Sequence, residues 1–302
     1  FIVGSISSED TICYSGAPDL IETVVVPSGG DGNYSYQWYE SNDNSSWVII
    51  SSAASFSYQP SSLTDTTYYR LEYTSGSGCG SGFSNSSEVV VYPDVIAAVI
   101  SGSQTLCYGG LSGLVSVSIP SSGGGNSGFT YQWQESSDNV NWSALIGETS
   151  TGLFPGNLYS SVYYRLEVLS IDNCGPKYSN SIFIDVYDQI NSGVIGASEV
   201  LCYGSTPSLL GFVSSPSGAE GSYSYQWQES IDGGVVWSDI VSATAISYQE
   251  VSLVSDRSYR IKVSSIAGCS SDTSNEVTIT VYDEFIVGSI SSEDTICYSG
   301  AP

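Results

Sequence analysis

The sequence predicts an all-β fold of three tandem two-sheet antiparallel β-sandwich domains, and three observations predict it. Landmark residues recur at a nearly constant spacing, as Cys13, Cys107, Cys202 and Cys297 do. Short segments alternate apolar and polar side chains, the period-two signature of strands. Gly, Ser, Asn and Asp cluster between these segments, and no segment carries a sustained helical period with caps.

The period sets the domains. Trp38, Trp133 and Trp227 keep step with the cysteines, as do Trp47, Trp142 and Trp237, then Arg70, Arg165 and Arg260, then Cys79, Cys174 and Cys269. Domains are expected at 1–94, 95–189 and 190–284. Residues 285–302 repeat residues 1–18 (FIVGSISSEDTICYSGAP) without change, so positions 1–284 read as one super-repeat and Phe285 as the start of the next. The chain is therefore expected to be a piece from inside a longer repetitive protein.

Within each domain the strands follow in order. An apolar segment, Leu20 to Pro27 in the first domain, leads to a strand in which Tyr34, Tyr36 and Trp38 share one face. Its copies end on Trp133 and Trp227, and the three tryptophans are the expected core. A later strand turns Tyr69, Leu71 and Tyr73 inward and Tyr68, Arg70 and Glu72 outward, and the last turns in Val89 and Val91. Ser28–Asn33 and Ser121–Ser127 are turn chemistry, and Gly123-Gly124-Gly125 lacks the strand-to-helix setting of a phosphate loop. At the joints only a few residues separate Val91 from Val95, Val186 from Ile190, and Val281 from Phe285, with no Gly/Ser linker. Joints so short and apolar predict that the domains stack into an extended rod.

Composition excludes several functions. Thirty-one acidic against six basic residues give a net charge of −25, which disfavours nucleic acid and anionic membrane surfaces. No run approaches the roughly 18 apolar residues of a spanning helix, so no membrane insertion is expected. With no His, a Ser or Cys nucleophile lacks its commonest base, and nothing places two carboxylates across a pocket; no enzyme and no catalytic residue is expected.

Each domain has two cysteines, and the interval between them is nearly the same in all three. The most economical pairing is Cys13–Cys79, Cys107–Cys174 and Cys202–Cys269, with Cys297 left unpaired by truncation. Pairing across a joint with a neighbouring domain, or reduced cysteines, stay open, because spacing alone does not fix connectivity. Disulfides would imply an oxidising, extracellular setting.

The succession T-[IL]-C-Y-G/S, Y-Q-W-[QY]-E-S-x-D, a second Trp, Y-Y-R-L-E, a lone Cys and S-N before a Val-rich strand resembles the immunoglobulin-like tandem repeats of giant secreted surface adhesins of Bacteroidota, the gliding-motility adhesin type. In the first domain Gln37, Trp38, Asp43, Trp47, Arg70, Cys79 and Asn85 carry it. The third domain departs at Ser258-Tyr259-Arg260, and the second at Phe154-Pro155. The resemblance implies immunoglobulin-like sandwiches, export and display on the cell surface.

Candidate sites are few. Carboxylates near the joints, Glu9, Asp10, Asp94, Asp188, Asp283 and Glu284, are candidates to hold calcium, although no loop has a recognised ligand spacing; no other cofactor is expected. Thr11, Thr66 and Thr295 lie in Asp-Thr-apolar triplets that resemble acceptor sites of Bacteroidota O-glycosylation, and Asn33, Asn44, Asn85 and Asn141 satisfy Asn-x-Ser/Thr. Outward Tyr39, Tyr68 and Tyr163 are candidate sugar contacts, and Arg70, Arg165 and Arg260 are expected in cross-strand ion pairs. These features favour a non-catalytic stalk of a long extracellular filament or giant adhesin. Its partners would be further copies of the repeat, with surface polysaccharides or other cells as further candidates. A carbohydrate-binding repeat and a sheath or surface-layer lattice subunit are the alternatives.

Overall fold

A computed structural model of the chain describes residues 1–7, 9–196, 198–290 and 298. The first domain contains β1 (Ser5–Ile6), β2 (Asp10–Cys13), β3 (Ile21–Val25), β4 (Tyr34–Ser41), β5 (Val48–Ile49), β6 (Ser57–Tyr58), β7 (Thr67–Ser75), β8 (Ser81–Phe83) and β9 (Ser87–Tyr92). One sheet has the order β1-β3-β6, and the other β2-β9-β7-β4-β5 with β8 also on β7. That arrangement is an immunoglobulin-like sandwich.

Alternation builds the core. Along β7 every second residue from Thr67 to Ser75 is buried. β4 lies antiparallel to it with Trp38 opposite Leu71 and Tyr36 opposite Tyr73. Ile6 and Ile21 from the smaller sheet close over Trp38, Tyr69, Leu71, Tyr73 and Val89 from the larger one. Trp38, Trp133 and Trp227 are all fully buried.

The second domain repeats the plan. Val99–Ser101, Val115–Ile119 and Gly152–Leu153 form its small sheet. The large one runs Gln104–Leu106, Ile182–Val186, Val162–Ser170, Phe129–Ser136, Ser143–Ala144. In the third, Val194–Ile195, Leu210–Ser214 and Ser247–Tyr248 face Glu199–Leu201, Val277–Val281, Arg257–Ser265, Tyr223–Ser230 and Ser238–Asp239. No described helix is long and apolar enough to cross a membrane.

The sheets are not antiparallel throughout. β2 runs parallel to β9, from Asp10 opposite Val89 to Cys13 opposite Tyr92, and Glu199–Leu201 runs parallel to Val277–Val281. The physical reason is a crossing: after β1 the chain leaves the small sheet and continues in the large one, where the free edge belongs to the domain's last strand. This pairing carries Cys13 to the end of the domain from which the chain exits.

Two compact units contain these domains. The first gathers Phe1–Gln104, Ser112–Gly156 and Ser161–Ile184; the second gathers Thr105–Leu111, Asn157–Ser160 and the chain from Asp185 on. Residues 285–290, which copy residues 1–6, form no strand, and Phe285, Ile286 and Ile290 are exposed.

Candidate functional site

Four of the recurring motifs turn out to be architectural. The Gln before each core Trp sends its amide into the following loop: Gln37 Nε2 donates to Ile50 O at 2.8 Å, Gln132 to Leu145 O at 2.6 Å and Gln226 to Ile240 O at 2.8 Å. The Trp indoles donate to Ser55 O, Ser150 O and Ala245 O at 2.8–3.0 Å. A loop that has no ladder of its own is thereby hydrogen-bonded from the core strand.

The Ser-x-Asp after each core strand caps a hairpin. Asp43 Oδ1 accepts from Ser45 N at 2.8 Å, Ser46 N at 2.6 Å and Ser41 Oγ at 2.9 Å, and Asp138 and Asp232 do the same with their own loops. Backbone N–H groups that stabilise the ionised form hold all three carboxyls below the usual carboxylate range.

Among the described residues the outward arginines form no ion pair, and their guanidinium groups lie against aromatic rings. Arg70 lies between the rings of Trp47 and Phe83, 4.2 and 3.8 Å from their centroids, and Arg165 lies between Trp142 and Tyr178 at 4.3 and 4.0 Å. Arg260 keeps Trp237 at 4.2 Å; on its other side the third domain has Thr273 where the first two have a ring. A weakly hydrated guanidinium stacks on an indole more readily than it holds an exposed carboxylate. The signal was present in the sequence, since these Trp and Arg positions share one period.

The Ser-Asn pair explains the strand crossing. Between β8 and β9, Ser84 Oγ accepts from Leu71 N at 3.0 Å, while Asn85 takes both backbone groups of Ile6, N at 2.9 Å and O at 3.2 Å. Asn180 does so for Ile100 and Asn275 for Ile195. Each Asn stands in for a ladder partner where the first strand changes sheets. The Asn85 amide, an Asn-x-Ser candidate for modification, is used here.

The tyrosines on the outer face are also engaged. Tyr39 donates to Glu72 Oε2 at 2.9 Å, Tyr68 donates to Glu88 Oε1 at 2.8 Å, and Tyr163 packs on Phe183 with centroids 4.5 Å apart. The acceptor carboxylates raise the pKa of Tyr39 and Tyr68.

The joint carboxylates are not brought together: among the described residues no three acidic or Cys side chains cluster closely enough for a metal ion. Asp10 accepts from Thr11 N and Asp19 N, and Asp94 pairs with Lys177 Nζ at 3.0 Å. Glu9, Asp188, Asp283 and Glu284 are exposed. Thr11 is exposed on β2, whereas Thr66 is half-buried and its hydroxyl accepts from Val91 N. Thr295 and Cys297 lie outside the described residues.

The cysteines correct the expected pairing. Cys13 is bonded to Cys174, with Cα atoms 5.4 Å apart, and Cys107 to Cys269, with Cα atoms 5.1 Å apart. Cys79 and Cys202 are free and exposed. Bonds within a domain, Cys13–Cys79, Cys107–Cys174 and Cys202–Cys269, are excluded by the sheet. Cys13 stands opposite Tyr92, beyond the start of β7, whereas Cys79 lies in the turn after Ser75, at the other end of β7. A nine-residue strand separates the two by about 30 Å, far beyond the roughly 7 Å that a disulfide spans between Cα atoms. The second and third domains are built alike. Tyr187 N and Tyr282 N bond to Leu106 O and Leu201 O, which puts Cys107 and Cys202 at the exit end, while Cys174 and Cys269 follow Ser170 and Ser265 in turns at the entry end. The first cysteine of one domain therefore meets the second cysteine of the next. Beside the Cys13–Cys174 bond is an open crevice of about 440 Å³ lined by Tyr14, Pro93, Val95, Pro176 and Lys177.

No curated protein matches the chain. Among solved structures it is similar to the three N-terminal domains of the Highly Immunogenic Outer Capsid protein of bacteriophage RB49, at 12% identity and a TM-score of 0.38 over 94% of this chain and 100% of that one. It is also similar to extracellular domains 3–5 of Drosophila OTK, at 14% identity and a TM-score of 0.31 over 93% and 96% of the two chains. Titin domains A168–A170 are similar at 15% identity and a TM-score of 0.28 over 92% and 98%. The family described as a domain of unknown function, DUF8696, matches three times in succession, at residues 2–93, 96–188 and 191–283, and the chain belongs to that family.

Proposed function

We propose that this chain is a non-catalytic structural segment of a long extracellular filament or giant cell-surface adhesin. The observation that carries the reading is the pair of disulfides that leave one repeat and enter the next. A disulfide inside a domain stabilises that domain alone; a bond across a joint resists separation of neighbours, which is of use to a chain under tension. In the chain-entropy account each loop of 161 or 162 residues contributes about 5 kcal/mol against the unfolded state. Such bonds persist in an oxidising setting outside the cell.

The side chains support the same reading. The motif residues that repeat most regularly are spent on loops, strand crossings and outer-face stacks, and the net charge of −25 keeps neighbouring segments apart in solution. Tip binding would reside elsewhere on the parent chain or be multiplied along it by avidity. Antibodies raised against the chain should label filaments on unopened source cells by immunogold electron microscopy; label that appears only after the cells are opened would overturn the proposal.

A further inference from the structure

The two described cysteines without a disulfide partner are the two that the observed pattern would join to a neighbour. Among the described residues both bonded pairs link the first cysteine of a domain to the second cysteine of the domain after it, 161 or 162 residues on. By that rule Cys79, a second cysteine, needs a domain before it, and Cys202, a first cysteine, needs a domain after it. Both are exposed, whereas their bonded counterparts Cys174, Cys269, Cys13 and Cys107 are buried or half-buried. A second, independent observation identifies the neighbour. Residues 285–302 begin a copy of the first domain, and in a copy that starts at Phe285 the counterpart of Cys79 falls 161 residues beyond Cys202, the same spacing as from Cys13 to Cys174.

We infer that Cys202 and Cys79 are the two halves of one disulfide that joins successive copies of this chain's super-repeat. The inference rests on the array reading above. The chemistry is thiol–disulfide exchange with a small-molecule disulfide as oxidant. The Cys202 thiolate attacks it to form a mixed disulfide and release one thiol, and the Cys79 thiolate of the next copy then displaces the second. Two protein thiols are oxidised, one small disulfide is reduced to two thiols, and the two protein protons end on those products.

The experiment uses two chains, each folded with a small-molecule disulfide present and then alkylated without reductant. In the chain as it stands, Cys79, Cys202 and Cys297 are expected to take the label, while Cys13, Cys107, Cys174 and Cys269 are recovered as linked peptides. In a chain that carries residues 1–284 twice, Cys202 of the first copy is expected in a peptide linked to Cys79 of the second. The label then remains on only the outermost pair, Cys79 of the first copy and Cys202 of the second. Cys202→Ser in the first copy should free Cys79 of the second copy for labelling and leave the other linkages in place, which also reports that the chain still folds. Label on the inner Cys202 and Cys79 of the unsubstituted tandem chain, or a linkage of either to any other cysteine, overturns the inference. Immunogold labelling is independent of this outcome, so a failed linkage and a failed filament reading remain distinguishable.

Discussion

Arg165 Nε donates to Gln134 Oε1 at 2.7 Å, and in the first domain the same arginine has no such acceptor. Gln134 also donates to Glu167 at 2.6 Å, and Gln228 accepts from Arg260 at 2.7 Å. The first domain has Tyr39 at this position, and Arg70 Nε is buried without a hydrogen-bond partner.

Tyr39→Gln should therefore stabilise the first domain. The amide can accept from Arg70 and donate to Glu72, as Gln134 does with Arg165 and Glu167. The gain from satisfying a buried charged donor, about 1.5–3 kcal/mol, outweighs the loss of the Tyr39–Phe83 edge contact, about 0.5–1.5 kcal/mol. Urea denaturation of the whole chain, followed by hydrogen exchange at β4 and β7, should show slower opening in the variant; faster exchange refutes the assignment.

Asn180→Ala should destabilise the second domain by about 1–2 kcal/mol, because both backbone groups of Ile100 lose their partner. Amides of Val99–Ser101 should exchange faster, while those of the core strand Phe129–Ser136 change less. Uniform acceleration across the domain would mean that the Asn has no local role at the crossing.

Trp133→Phe should cost about 2–3 kcal/mol, from the volume removed in a fully buried site and the lost indole bond to Ser150 O. Trp142→Phe at the outer stack should cost under about 1 kcal/mol, since Arg165 keeps Tyr178 on its other face. Equal losses in thermal unfolding would contradict the distinction between core and outer tryptophans.

Stability should fall at both ends of the pH scale. The carboxyls of Asp43, Asp138 and Asp232 titrate lower in the folded state than their ordinary value, so their contribution is complete above that value and is lost as pH falls through the folded one. Burial pushes Tyr164 and Tyr248 up to about 12, so their contribution is complete below the ordinary tyrosine value and is lost as pH rises through about 12. Melting temperatures should thus hold between roughly pH 5 and 9 and decline on both sides, and Asp138→Asn should flatten the acid limb. An acid limb unchanged by that substitution would place its cause elsewhere.

Much of this domain could be read from the sequence because alternation and period act locally. Tyr36, Trp38, Leu71 and Val89 declare their buried faces by parity, and the Trp, Gln, Arg and Asn positions declare their importance by recurring in step. The cysteine connectivity could not be read in this way. Asp10–Cys13 has no alternating apolar stripe to say which sheet it joins, and its parallel pairing with Ser87–Tyr92 depends on a crossing held by Asn85, far along the chain. The interval from Cys13 to Cys79 fits a bond within a domain as well as the longer one to Cys174 fits a bond between domains; only the ends at which the cysteines sit decide it. The arginine partners failed for a related reason, since charge complementarity suggested carboxylates while Trp47 and Trp142 lie in hairpins whose return onto the sheet no local pattern gives.

The two disulfides have one more consequence, for what happens when the backbone is cut. Their loops overlap, Cys13 to Cys174 and Cys107 to Cys269, so every peptide bond from Cys13 to Cys269 lies inside at least one closed ring. A protease that nicks any one exposed loop in that interval leaves both fragments on a single covalent molecule. Continued from copy to copy, the same overlap would make the strand behave like a ladder rather than a string, severed only by two breaks within the same ring.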